Sequence, residues 1–206
     1  MSKIKFFIEQ SWLLIISSFI FGLLLAVTNA ALQDDIIKNE QKKINEKIAE
    51  LITDADGFEP VMQNVEIQLS KTKTVKTDIY KAMDSKGSVI GYSFIAEGPG
   101  FADKIRLVIA VDAEFKKFHG FKVLASNETP GFGDKIKDQY YSSQYAGAPV
   151  GKFELTKTGD SAKIDSEIVA ISGATVSSEA VVKIFNSLTY KILEKLEAEG
   201  LITYDR

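Results

Sequence analysis

Ile168-Val169-Ala170-Ile171-Ser172-Gly173-Ala174-Thr175-Val176-Ser177-Ser178 passes from an apolar run through small residues into a helical pattern. Lys163–Ile171 predicts a last strand. Val176–Glu199 predicts a helix with Val181, Ile184, Phe185, Leu188, Ile192 and Leu196 on one stripe. Small residues at a strand-to-helix turn let a ligand approach the backbone closely. The first turn of the helix has unpaired N–H groups and the positive end of the helix dipole, so a phosphate placed there is stabilised without a dedicated basic residue. Thr175, Ser177 and Ser178 add hydroxyls. On physical grounds alone the simpler reading is favoured, since a Ser or Thr ahead of an amphipathic helix is usually just an N-cap.

Upstream of this turn, Asp78–Met83, Ser88–Ala96, Lys104–Asp112 and His119–Ser126 are short apolar or alternating runs separated by Gly, Asp and Lys, which predicts three or four antiparallel strands. Asp138–Ala148, rich in Tyr, Ser and Gln, fits either a short helix or an irregular crossing. The fold class is therefore α+β, an antiparallel sheet with flanking helices. Asp54–Pro60 has the Asp, Gly and Pro of a loop and marks the start of the globular part, taken as residues 59–206.

The N-terminal part has a different character. After a short tail, residues 1–11, the chain runs from Trp12 to Leu32 without a charge, which matches the roughly 20 residues of a membrane-spanning helix. A cleaved signal peptide competes, since Thr28-Asn29-Ala30 resembles a cleavage site, but the apolar run exceeds the ~7–15 residues of a signal core. Lys3 and Lys5 precede the span while Lys38, Lys42, Lys43 and Lys47 follow it, so charge alone does not orient it. A short tail kept inside, with the domain translocated, is the expected arrangement. Gln33–Ile52 carries Ile36, Ile37, Ile44, Ile48 and Leu51 near helical spacing and predicts a stalk within residues 33–58.

Composition excludes several functions. The net charge of −3 with scattered basic residues lacks the footprint of a nucleic-acid binder. The absence of cysteine removes disulfides, thiolate zinc sites and cysteine-held iron–sulfur clusters, so a redox centre here is organic or bound by oxygen and nitrogen. The single histidine, His119, reads as a surface turn residue without a metal-binding constellation. Gly98-Pro99-Gly100 and Gly131-Phe132-Gly133 do not continue as a dinucleotide or P-loop fingerprint.

Ser172-Gly173-Ala174-Thr175 resembles the flavinylation motif of the FMN-binding domain family, found as the G-type subunits of Rnf ion-translocating oxidoreductases and as the C-type subunits of sodium-pumping NADH:quinone reductases. Asn127-Glu128-Thr129-Pro130-Gly131-Phe132-Gly133-Asp134-Lys135-Ile136 is similar to the family's Glu-Thr-Pro-Gly-Leu-Gly loop. Gly91-Tyr92, Gly98-Pro99-Gly100-Phe101, Ile105 and Asp112 are spaced like its core hairpin. The resemblance implies one FMN per chain, joined through its phosphate to Thr175, with Ser172, Gly173, Ala174 and Ser177 around the attachment point. It also implies that the Glu128, Thr129, Pro130, Gly131, Phe132 and Gly133 loop lies beside the isoalloxazine, with Glu128 and Thr129 as hydrogen-bonding groups and Phe132 as a packing group. A flavin transferase using FAD as donor and the other membrane subunits of a redox complex are the implied partners, and the cytoplasmic membrane, with the domain on its periplasmic side, the implied location. Val169 departs from the family, which usually has an acidic residue there; Asp165 and Glu167 are the nearest replacements.

On this basis the chain is expected to be an electron carrier of the Rnf G type rather than an enzyme acting alone. Its length fits that type better than the usually longer C type of the quinone reductases. A non-redox anchored assembly module is the competing class, separated by whether Thr175 carries a mass adduct. A self-contained flavin reductase is the third.

Overall fold

A computed structural model describes residues 3–70 and 73–202, with residues 3–9, 70 and 73 described by their backbone alone. The chain divides into two units, residues 1–43 and 44–206. The described residues of the first are all helical: α1 runs from Lys3 to Ala49 without a break, so the expected tail is helical from Lys3 and no loop separates span from stalk. Nothing at the junction of Leu32 and Gln33 favours a break, since α1 contains no Pro and its one Gly, Gly22, lies ten residues upstream. Leu13, Leu14, Phe19, Phe21 and Leu25 are exposed, and the helix is long and apolar enough to cross a membrane.

The second unit is built on a five-stranded antiparallel sheet in sequential order: β1 (Gly57–Ser70), β2 (Lys73–Met83), β3 (Val89–Pro99), β4 (Lys104–Asp112) and β5 (Phe118–Ser126). The four strands expected from sequence are β2 to β5. The additional strand, β1, alternates only in its second half, Val65-Glu66-Ile67-Gln68-Leu69, a signal the sequence reading missed; upstream, register shifts at Pro60/Met62 and Met62/Val65 break the pattern, and Asn64 adopts φ 53° there. His119 lies within β5, half-buried, rather than in a turn.

Beyond β5 the chain forms a 3-10 turn (Gly133–Lys137), a one-turn helix α2 (Gln139–Ser142) and a second 3-10 turn (Ser143–Tyr145). The expected strand Lys163–Ile171 is shorter and lies elsewhere: β7 (Glu167–Val169) pairs in parallel with β6 (Glu154–Thr156), outside the main sheet. Asp160 and Asp165 explain the shortening, because their carboxylates accept the backbone N–H groups of Ala162 and Glu167 and hold local turns. The final helix, α3, spans Thr175–Ala198.

Both faces of the sheet are covered. On one, Ile184, Phe185, Leu188, Ile192 and Leu196 of α3 pack with Phe94, Leu107, Ile109 and an aromatic group of Phe118, Phe121, Tyr141, Tyr145 and Phe153. On the other, Ile44, Ile48 and Ile52 meet Tyr80, Ala82, Ile95, Val108 and Ala110. The last turns of α1 are thus part of the domain's core. Each such buried aliphatic side chain contributes about 1.5–3 kcal/mol, so truncation at residue 58 would strip one face of the sheet.

Candidate functional site

Two turns of the same construction face each other at one end of α3. In Thr129-Pro130-Gly131-Phe132 the Phe132 N–H donates to the Thr129 carbonyl at 3.2 Å, with Pro130 second and Gly131 third at φ 78°. In Ile171-Ser172-Gly173-Ala174 the Ala174 N–H donates to the Ile171 carbonyl at 3.0 Å, with Gly173 third at φ 80°. A third residue with positive φ is what a type II turn requires. The Phe132 ring would lie 3.5 Å from a Cβ at Gly173, so the two turns are in contact.

The helix that leaves the second turn has no side-chain cap among the described residues. Ala174 occupies the N-cap position with φ −136°, and Thr175 is the first helical residue. The N-cap explanation for Thr175 therefore does not hold. The hydrogen-bond ladder begins where Ser178 N–H reaches the Ala174 carbonyl at 3.0 Å, which leaves the N–H groups of Thr175, Val176 and Ser177 without intrahelical acceptors.

The hydroxyls around this turn differ in availability. Ser178 is fully buried, donating to the Ala174 carbonyl and accepting the Ile171 N–H, both at 3.0 Å. Ser177 is buried and donates to Glu128 Oε2. Ser172 is exposed, outside both the helix and the cleft, whereas Thr175 is half-buried at the helix start and lines the cleft.

The cleft measures about 440 Å³, within the ~300–1,000 Å³ of small-molecule and cofactor sites. Of the residues singled out from sequence, it gathers Thr129, Phe132, Gly133, Gly173, Ala174, Thr175 and Ser177. Phe101 and Val176, which sequence reasoning had not placed in the site, complete the lining. Phe101 is 67% exposed and Phe132 56% exposed, large aromatic surfaces left open to solvent on turns. A bulky apolar residue directly after Gly98-Pro99-Gly100 is the signal that would have identified Phe101. Pro130 and Gly131 shape the turn but do not line the cleft.

Glu128 is turned inward and only 5% exposed. Its Oε1 accepts the N–H groups of Phe101 at 2.9 Å and Ala102 at 3.0 Å, and its Oε2 accepts the Ser177 hydroxyl. Both of its oxygens thus accept hydrogen bonds within the protein, and it does not line the cleft. Beside it, Asn127 Nδ2 donates to Asp103 Oδ2 at 2.8 Å; the Lys104 backbone N–H and this amide hold the Asp103 carboxyl below its ordinary range. Glu97, paired with Lys104 at 2.9 Å, pushes that ammonium above its ordinary value.

Among the described residues, no charged side chain lines the cleft. A bound phosphate would be met by amide N–H groups and the helix dipole, while the apolar walls suit a planar aromatic ring. At the position where an acidic residue was expected, Val169 lies in β7 with its backbone held by Gln144, through Oε1 at 2.8 Å and Nε2 at 3.2 Å. Of the two nearby acids, Asp165 is paired with Lys163 at 2.5 Å and Glu167 is exposed.

An antiparallel sheet carrying a glycine-turned helix start beside an apolar cleft defines an α+β domain with a cofactor-sized site. The sequence profile of the FMN-binding domain matches residues 100–189. The chain is 32% identical to the G subunit of the ion-translocating oxidoreductase complex of Methanosarcina acetivorans, over 84% of this chain and 88% of that one. It is 28% identical to the G subunit of the proton-translocating ferredoxin:NAD(+) oxidoreductase complex of Clostridium ljungdahlii, over 82% and 83%. In fold it is similar to NqrC of Shewanella oneidensis, with a TM-score of 0.56 at 22% identity, covering 71% of this chain and 73% of that one. The chain belongs to the family of FMN-binding domain proteins that form the G subunits of ion-translocating oxidoreductase complexes.

Proposed function

We propose that this chain is the membrane-anchored electron-transfer subunit of an ion-translocating oxidoreductase complex, carrying one FMN joined by a phosphoester to Thr175. The observation that carries the attachment site is the position of Thr175: it combines the first place in an uncapped helix with exposure to the cleft, while Ser177 and Ser178 are buried in hydrogen bonds. The G-subunit relatives, matched over most of their length, support the assignment to such a complex and to partner subunits within it.

In this reading the N–H groups of Thr175, Val176 and Ser177 bind the phosphate, the small residues at Gly173 and Ala174 admit it, and Phe101 and Phe132 exclude water from the ring system. FMN supplies one- and two-electron redox chemistry when bound. A maturation enzyme is required. The Thr175 hydroxyl loses its proton and attacks the FMN-side phosphorus of FAD, forming the Thr–O–P bond as the pyrophosphate bridge breaks and AMP departs. The exposed apolar part of α1 anchors the chain in the cytoplasmic membrane, with the domain on the periplasmic side.

The test is intact mass and ultraviolet-excited in-gel fluorescence of the chain purified from its native membrane, with Thr175→Ala alongside. An FMN-sized adduct that disappears in the variant is expected. An unmodified chain from native membranes would overturn the covalent carrier assignment and favour an anchored assembly module.

A further inference from the structure

We infer that Glu128 is a positioning residue, a buried latch that holds Phe101 in place as one wall of the flavin cleft; this rests on the flavoprotein function proposed above. The carboxylate joins three segments distant in sequence. Oε1 takes the consecutive N–H groups of Phe101 and Ala102 on the β3–β4 turn, and Oε2 takes the Ser177 hydroxyl in the first turn of α3. Two glycines make room for it. A Cβ at Gly133 would lie 2.7 Å from Glu128 Oε2, and one at Gly100 would lie 2.6 Å from the Asp103 carbonyl while also striking Oε1.

Phe101 itself has little to hold it. Its side chain is 67% exposed and lies outside both hydrophobic clusters, so its backbone hydrogen bond to Glu128 is a principal restraint on where the ring stands. The turn is otherwise closed by a backbone bond, Gly100 N–H to the Asp103 carbonyl at 2.8 Å, and tied at Asp103, two residues beyond Phe101, by Asn127 Nδ2 at 2.8 Å. A carboxylate suits the task because one oxygen accepts two convergent amides while the other accepts a hydroxyl. Glu128 therefore acts on the flavin through Phe101, and couples the far wall of the cleft to the helix start that bears Thr175.

The test uses the full chain, expressed with its maturation system, and reads two quantities: the fraction carrying the flavin adduct and the quenching of flavin fluorescence by iodide. Phe101→Ala should raise the quenching constant or lower loading, and Glu128→Met should do so at least as strongly, since it also releases Ser177. The double variant should be no worse than Glu128→Met alone, since Phe101→Ala removes a wall already lost; an effect of about tenfold falls within the coupling seen between contacting residues. Glu128→Gln keeps an oxygen for the two amides and should remain close to wild type. If Glu128→Met does not fold, Gly100→Ala, which displaces the same turn while leaving the carboxylate in the chain, should reproduce Phe101→Ala.

A Glu128→Met or Gly100→Ala chain with wild-type loading and quenching, a Phe101→Ala chain with no effect, or additive singles would each overturn the latch. Failure of Glu128→Gln to rescue would overturn it as well. Absence of any adduct in the wild-type chain overturns instead the covalent flavoprotein reading on which the latch rests.

Discussion

Tyr141→Phe should destabilise the domain more than Tyr145→Phe, although both remove one hydroxyl from the same buried pair. The Tyr141 hydroxyl donates to the Ser178 carbonyl at 3.0 Å, so the proton shared between the two tyrosines, 2.9 Å apart, comes from Tyr145. Both side chains are fully buried. In Tyr141→Phe the Tyr145 O–H loses its acceptor in an apolar cluster, costing about 1–3 kcal/mol, and the bond to Ser178 is lost for about 0.5–1.5 more. In Tyr145→Phe the Tyr141 hydroxyl keeps its donation, and the cost stays near 0.5–1.5 kcal/mol. The double variant leaves no orphaned donor, so it should be more stable than Tyr141→Phe alone. Urea and thermal unfolding of the full chain in detergent, followed by near-ultraviolet circular dichroism of the aromatic cluster, measures this. A difference of about 2 kcal/mol corresponds to roughly 4–8 °C for a domain of this size. Equal costs for the two singles, or a double variant at their sum, would refute the assigned direction of the hydrogen bonds.

The same pair predicts alkaline sensitivity. Burial raises both phenols above their ordinary value, so the folded state holds protons that the unfolded chain releases. Their contribution is intact below about pH 10 and declines above it by up to about 1.4 kcal/mol per pH unit for each tyrosine, towards the raised folded values; a Tyr141→Phe/Tyr145→Phe chain should show a shallower alkaline limb in a pH series of unfolding midpoints. Gly133→Ala and Gly131→Ala should both destabilise, for different reasons. The first forces a Cβ to 2.5 Å from Ser177 Oγ and disrupts the Glu128 contact, at about 1–3 kcal/mol of overpacking, while the second meets no atom within 4 Å and costs only the positive-φ strain of about 1–2 kcal/mol. Flavin loading should fall in Gly133→Ala and persist in Gly131→Ala. Intact mass should also show that Thr175→Ser retains the adduct and that Ser172→Ala and Ser177→Ala do not move it, because Ser172 lies outside the cleft and the Ser177 hydroxyl, although at the helix start, is spent on Glu128.

Legibility in the sequence followed the range of the forces involved. Strands β2 to β5 and helix α3 were readable because their apolar residues recur at the period of the element that buries them. The two turns were readable because Pro130, Gly131 and Gly173 encode local backbone geometry. Features that depend on distant segments were not readable. The first half of β1 is a strand because β2 pairs with it across its bulges, although Val65-Glu66-Ile67-Gln68-Leu69 in its second half alternates on its own. Phe101 enters the site only when β3 and β4 close their turn beside a loop 27 residues on, and Glu128 faces inward because Ser177, 49 residues away, comes to meet it. A carboxylate beside a ligand loop reads as a ligand contact until its acceptors are counted.

Those acceptors also explain how an open cleft can be held in shape. Tyr141 ties α2 to the first turn of α3 through the Ser178 carbonyl, Ser178 ties that turn to Ile171, and Ser177 ties it through Glu128 to the β3–β4 turn. The helix start is therefore fixed from its buried side by three separate connections, while the N–H groups of its first residues remain free on the cleft side. A site that relied on Thr175 as its own cap would have to break that bond before the hydroxyl could react. Placing Ala174 at the cap and assigning the hydrogen bonding to Ser177 and Ser178 leaves the threonine unencumbered, so under the proposed attachment the two serines, although they bear the same functional group, would make poor substitutes for it.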